Sequence, residues 1–192
     1  SMFNNKYIDD VAFKPTHNMQ PINATNMFNS CRITNLKQIL DDRGVTLDTS
    51  KSTSFQNFIA YSTITHLPCI SLESCTYAPN IFSHATQLKY IEKLITNKNS
   101  GWQNSSFVQC ILLETIEEIE GEIGTSWNIS QSPLLDELTI DNIVNAYADM
   151  TGQTAPVFTV HATVKAKIVA DDTKEDTDPT KRFWLRTLTS KN

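Results

Sequence analysis

The chain has 192 residues, a mass of 21.6 kDa, a net charge of −5 and a pI near 5.3. Its 40% hydrophobic content, with nine Phe and three Trp, excludes wholesale disorder, and five Gly disfavour glycine-rich phosphate loops and multi-bladed β architectures. No basic run exceeds Lys181-Arg182, which argues against nucleic acid or an anionic membrane as partner, and no apolar run nears the roughly 20 residues that span a bilayer.

The N-terminus carries no apolar signal core, so an intracellular setting (cytoplasm or nucleus) without a signal peptide is expected. Cys31, Cys69, Cys75 and Cys110 form no C-x-x-C pair and have no histidine at zinc spacing, so they read as free thiols. No cofactor motif is present, and none is expected.

Residues 1–32 show no sustained period, only scattered anchors at Phe3, Tyr7, Ile8, Val11, Phe13 and Met19. They read as an extended arm that wraps its own domain or docks on a partner. Residues 33–192 read as one α+β domain. Ile33 to Asp42 carries a helical stripe of Ile33, Leu36, Ile39 and Leu40, with Thr34 or Asn35 as cap and Gly44 as a left-handed stop. Ser54 to Thr63 reads as a short helix, and residues 67–77 as an added strand interrupted or bordered by Pro68.

Phe82, Ala85, Leu88, Ile91, Leu94 and Ile95 predict a further helix. Phe107 to Ile123 predicts the central one: Val108, Ile111, Leu112, Thr115, Ile116 and Ile119 form its apolar stripe, and Glu114, Glu117, Glu118 and Glu120 its wet back. Ser132-Pro133 looks like a helix start, and Ile140, Ile143, Val144 and Tyr147 continue the pattern within residues 133–150. From Phe158 to Ile168 a two-residue alternation predicts a strand, residues 171–180 an acidic loop, and Arg182 to Thr189 a returning strand. The expected fold is therefore α+β, with four to five helices packed on a C-terminal antiparallel β-hairpin or small sheet.

Carboxylates supply the first candidate chemistry. Glu114-x-x-Glu117 is similar to the first half of the acidic motif of helical nucleotide pyrophosphohydrolases, but Glu137-x-x-x-Asp141 has the wrong spacing for the second half. A Mg²⁺- or Mn²⁺-dependent hydrolase of nucleotides or phosphoesters, using Glu114, Glu117, Glu118 and Asp141 on an acidic helix over residues 114–120, is the alternative function. Asp171 to Asp178 offers carboxylates without the glycine or the register of a calcium loop. No nucleophile elbow, Cys/His signature or Walker motif occurs.

The leading expectation is a non-catalytic protein-interaction or assembly subunit. It would meet a protein partner, or itself as a homo-oligomer, through the C-terminal hairpin and the N-terminal arm. Trp184 and Leu188 place large apolar groups on one face of the expected strand, and Phe3, Tyr7 and Phe13 are the arm's aromatic anchors.

Overall fold

The computed structural model describes residues 8–103, 105–150, 154 and 156–191. In chain order they form α1 (Leu36–Arg43), β1 (His66–Leu67), β2 (Ile70–Ser71), β3 (Tyr90–Thr96), β4 (Thr115–Gly121), β5 (Trp127–Ile129), α2 (Glu137–Ala146), β6 (Phe158–Val160), α3 (Ala162–Asp172) and α4 (Trp184–Ser190). Every strand pairing among them is parallel. The architecture is thus mixed α/β with two small parallel sheets, and the expected C-terminal antiparallel hairpin is absent.

Register explains how this arises. His66 pairs with Tyr90, and Tyr90 with Thr115, so each strand meets the one a single turn of chain later. A second ladder runs through the turn-rich side of each coil. Ala24, Asn26, Phe28 and Ser30 donate their amides to Ser54, Gln56, Phe58 and Ala60 carbonyls; Phe55, Asn57, Ile59 and Tyr61 donate in turn to Tyr77, Pro79, Ile81 and Ser83. The chain winds as a stack of rungs, each hydrogen-bonded to its neighbours only. Residues 8–32, expected as an arm, form the start of this stack: Arg32 N–H bonds Ile8 carbonyl at 2.8 Å and Met19 N–H bonds Thr46 carbonyl at 2.8 Å.

The two segments expected as central helices are turns followed by strands. Phe82, Ala85, Leu88, Ile91 and Leu94 are all buried, as are Phe107, Cys110, Leu113 and Ile116. Their spacing is a strict three, because the corners of each rung are closed by bonds three residues back. Ala85 N–H reaches Phe82 carbonyl, Leu88 reaches Ala85, Cys110 reaches Phe107 and Leu113 reaches Cys110, all at 3.0–3.2 Å. Corner turns followed by β3 therefore imitate a helical stripe, whereas of the stripe expected before and along β4 only Ile116 is buried: Ile111 is exposed, and Val108, Leu112, Thr115 and Ile119 are half-buried. Likewise Ser54 to Thr63 is a run of turns, not a helix.

The core fills column by column. Phe28, Ile59, Phe82 and Phe107 succeed one another along the stack, and Trp102 lies 4.7 Å from Trp127 between ring centres. At the corner that follows, every rung places a small buried residue: Cys31, Ser62, Ala85, Cys110 and Ser132. Each of these donates its amide to the carbonyl three residues earlier, so the tight corner admits nothing bulky. The buried cysteines are packing residues of that column.

Sheet edges are covered rather than left open. Central β3 carries β1 and β2 on one side, with Pro68 lying in the break between them, and β4 on the other. Helix α1 abuts the β1 side through the Asn35–His66 bridge; as expected, it is capped by Asn35 and stopped by Gly44 at φ 59°. Helix α2 stands where the next strand would lie beyond β4. Thr139 Oγ1 accepts from Ile116 N–H at 2.7 Å, and Asn142 Nδ2 donates to Ile116 and Glu117 carbonyls at 3.0 and 2.8 Å. Side chains of α2 thereby satisfy the backbone of the last strand.

The C-terminal half differs from expectation for a local reason. The alternation from Phe158 ends as a strand at Val160, where β6 pairs in parallel with β5. His161 then caps α3 by accepting from Thr163 N–H at 3.1 Å. Ala162, Lys165, Ala166 and Lys167 favour helix, and Val164, Ile168 and Asp171 recur at the four- and three-residue steps of a buried helical face. The segment expected as the returning strand is α4. Its Trp184 is buried, with the indole N–H on Asp141; Asp171 accepts from Arg182 and Trp184 amides at 2.7 and 3.3 Å.

Candidate functional site

The residues singled out by the sequence do not converge. Phe3 and Tyr7 lie outside the described residues. Phe13 is 3% exposed and packs edge-on against Phe28 at 5.7 Å, while Trp184 is also 3% exposed and Leu188 packs half-buried on the core. These three belong to opposite ends of the stack, and the two buried aromatics are occupied by their own chain.

The carboxylates of 114–120 lie on or beside a strand, not a helix. Glu117 accepts from the Tyr90 hydroxyl, and Glu118 and Glu120 grip Lys93 at 2.8 and 2.6 Å. Those two hydrogen bonds hold the Lys93 ammonium well above its ordinary pKa. Asp141 faces elsewhere, toward Trp184 and the Arg182 guanidinium at 3.3 Å. Among the described residues, no three His, Cys, Asp or Glu side chains are grouped to hold a metal ion.

The acidic loop after α3 is organised by a cation of its own. Lys181 Nζ donates to the Asp172 and Lys174 carbonyls at 3.2 and 2.6 Å and to Asp176 at 2.8 Å. Arg186 adds a second contact to Asp176 at 2.9 Å, and the two cations lower that carboxyl to about 2. The oxygens a calcium loop would offer are thus turned onto an ammonium. Lys191 works similarly at the end of α2, donating to the Val144, Asn145 and Tyr147 carbonyls.

The thiols are inert by burial. Desolvation pushes Cys31 up to about 11 and Cys110 up to about 12, and also raises Cys69 and Cys75. Cys69 alone among them is only half-buried. Iodoacetamide at neutral pH should therefore label Cys69 first, the others reacting only after unfolding, as peptide mapping by mass spectrometry would show. Because the buried thiols hold their protons more tightly folded than unfolded, their contribution is intact below the unfolded pKa near 9. Stability should fall as pH rises from there toward 11–12.

What the sequence reading passed over is a periodic outer face. Asn26, Asn57 and Asn80 take the left-handed conformation at φ 53°, 53° and 56°; four residues on, Ser30, Tyr61 and His84 each do so at φ 59°. Asn57 Nδ2 donates to Asn26 Oδ1 at 3.1 Å, continuing the ladder through side chains. Asparagine tolerates this backbone better than most residues, which explains its recurrence. The signal was present as Asn before two apolar residues at 26, 57 and 80, spaced 31 and 23 apart. Tyr61 projects from this face, 61% exposed, with its ring stacked on half-buried His84 at 4.5 Å and 17°. His84 Nδ1 lies 2.8 Å from Ser83 Oγ, which fixes the imidazole edge.

Among the described residues no helix is long and apolar enough to cross a membrane. No protein-family model, no curated protein and no solved structure matches this chain.

Proposed function

We propose that this chain is a non-catalytic protein-interaction module whose laddered face, centred on Tyr61 and His84, is the contact surface. The observation that carries the reading is the exposed, flat Tyr61–His84 stack set on a rigid hydrogen-bonded rung. An aromatic pair already ordered against its neighbour loses little conformational freedom on binding and supplies apolar area with a polar tip. Stacked-rung proteins present extended regular surfaces of this kind to partners. The titratable groups beside this face are engaged elsewhere: Glu118 and Glu120 pair with Lys93, and burial keeps the Cys110 thiol protonated.

A photoreactive benzoylphenylalanine at position 61, and another at the exposed position Glu73 as control, tests this reading. A discrete adduct at 61 that is absent at 73, and that is lost when His84→Ala is added, is expected. Equal labelling at both positions, or none at 61, would count against it.

A further inference from the structure

Charge is distributed unevenly around the stack. Residues 52–65, 74–88 and 99–113, the turn-rich sides of three successive rungs, contain no Asp, Glu, Lys or Arg, in a chain that holds 16 basic and 21 acidic residues. Glu92, Lys93, Glu117, Glu118 and Glu120 all stand on β3 and β4 instead. The outer face of rungs 52–62 and 75–85 is therefore neutral, and it lies in the middle of the stack, with ladder bonds on both sides.

Groups that can still bond are arrayed on it. Asn57 Nδ2 is held by Asn26 Oδ1, which leaves Asn57 Oδ1 as an acceptor. The Asn80 amide, the Tyr61 hydroxyl and His84 Nε2 have no partner among the described residues. Each asparagine stands four residues ahead of the ring of its own rung, Asn57 of Tyr61 and Asn80 of His84. One side of the Tyr61 ring rests on His84; Ser30, the residue before it in the column, is too short to cover the other, and Tyr61 is 61% exposed.

We propose that this face binds an uncharged saccharide, its ring laid on Tyr61 and its hydroxyls bonded to Asn57, Asn80 and His84. This rests on the reading of Tyr61 and His84 as a contact surface and names what meets it, the neutral glycan of a partner. The chemistry of the face selects that occupant. A sugar hydroxyl donates and accepts at once, as the amides, phenol and imidazole here can. The negative face of an aromatic ring draws the C–H groups on one side of a sugar ring. An anionic polymer would find no Lys or Arg on this face. A bare polypeptide interface is built round an apolar centre, which a single tyrosine does not provide.

The full chain is applied to an array of uncharged oligosaccharides (glucose, mannose, galactose, xylose and N-acetylglucosamine series), with sialylated and sulfated glycans for comparison. Binding to at least one uncharged series is expected, with a Kd of about 1 mM or tighter when that sugar is titrated calorimetrically. Tyr61→Ala should weaken it about tenfold or more, and Tyr61→Phe, which keeps the ring, by no more than about threefold. Asn80→Gly keeps the left-handed backbone and removes the amide, so the expected loss of about fivefold or more reports the amide alone. Binding confined to charged glycans, no binding to any uncharged member at about 10 mM, or unchanged affinity in Tyr61→Ala would each overturn the proposal. A photoadduct at position 61 that forms equally with a partner stripped of glycans would overturn it too, while leaving the contact-surface reading intact.

Discussion

Phe82→Ala should lower the unfolding free energy by about 3–5 kcal/mol, the range for deleting a fully buried aromatic side chain. Phe82 has no solvent exposure; its ring lies 5.2 Å from Phe107 and 5.9 Å from Trp102. Its amide bonds to one rung while its own side chain fills the column between Ile59 and Phe107, so the cavity opens in the middle of the stack. Nothing nearby can collapse into the space, because each neighbour is held by a backbone ladder. Against a total stability of about 5–15 kcal/mol this is a large fraction. Urea denaturation should show a lowered midpoint, whereas Val11→Ala at a 74% exposed site should change stability by no more than about 0.5 kcal/mol. A loss below about 1.5 kcal/mol for Phe82→Ala would contradict the column packing.

Gly121→Ala should be comparably damaging for a backbone reason. Gly121 closes β4 at φ 86°, opposite Thr96 of β3, and an added Cβ would come within 2.1 Å of Thr96 carbonyl oxygen. The substitution asks for both a strained backbone and a wider spacing between adjacent rungs. Together these should cost about 3 kcal/mol or more, a fall in Tm of roughly 6–12 °C for a chain of this size. Gly44→Ala is the matched control. Gly44 sits at φ 59° with nothing within 4 Å of its added Cβ, so only the left-handed penalty applies, about 1 kcal/mol. Equal losses at the two sites would mean that close approach between rungs is not what Gly121 provides.

The contrast between those glycines shows how far the sequence could be read. Gly44 and Asn35 bound α1 by local rules, a capping side chain and a left-handed stop, and both act where the sequence placed them. Helix α2 was legible through Ile140, Ile143 and Val144, which are buried as the periodicity required. Gly121 has no such local rule, because the contact that demands it, Thr96 carbonyl, lies a full turn of chain away.

The same distance hid the candidate surface. Tyr61 and His84 stand 23 residues apart and look like unrelated polar-region residues until parallel pairing puts one ring over the other. The expected C-terminal strand differs in the opposite direction. Trp184, expected on one face of a strand, is carried by α4 onto Asp141 and into the core.

By itself, then, the sequence determined where local caps act and, from Phe82 to Leu94, which residues are buried; along Phe107 to Ile123 the expected stripe is not the buried one, since Ile111 is exposed and Val108 and Leu112 are half-buried. Only the tertiary structure decided that they belong to rungs rather than helices. An apolar residue at every third position falls about 60° short of a full helical turn at each step, so five of them would sweep most of the way round a helix rather than line one face. In a stacked rung the same spacing is what the three-residue corner turns produce, and the hydrogen bonds that stabilise it come from the neighbouring rung. Those partners lie 22 to 32 residues distant, beyond the reach of any local pattern.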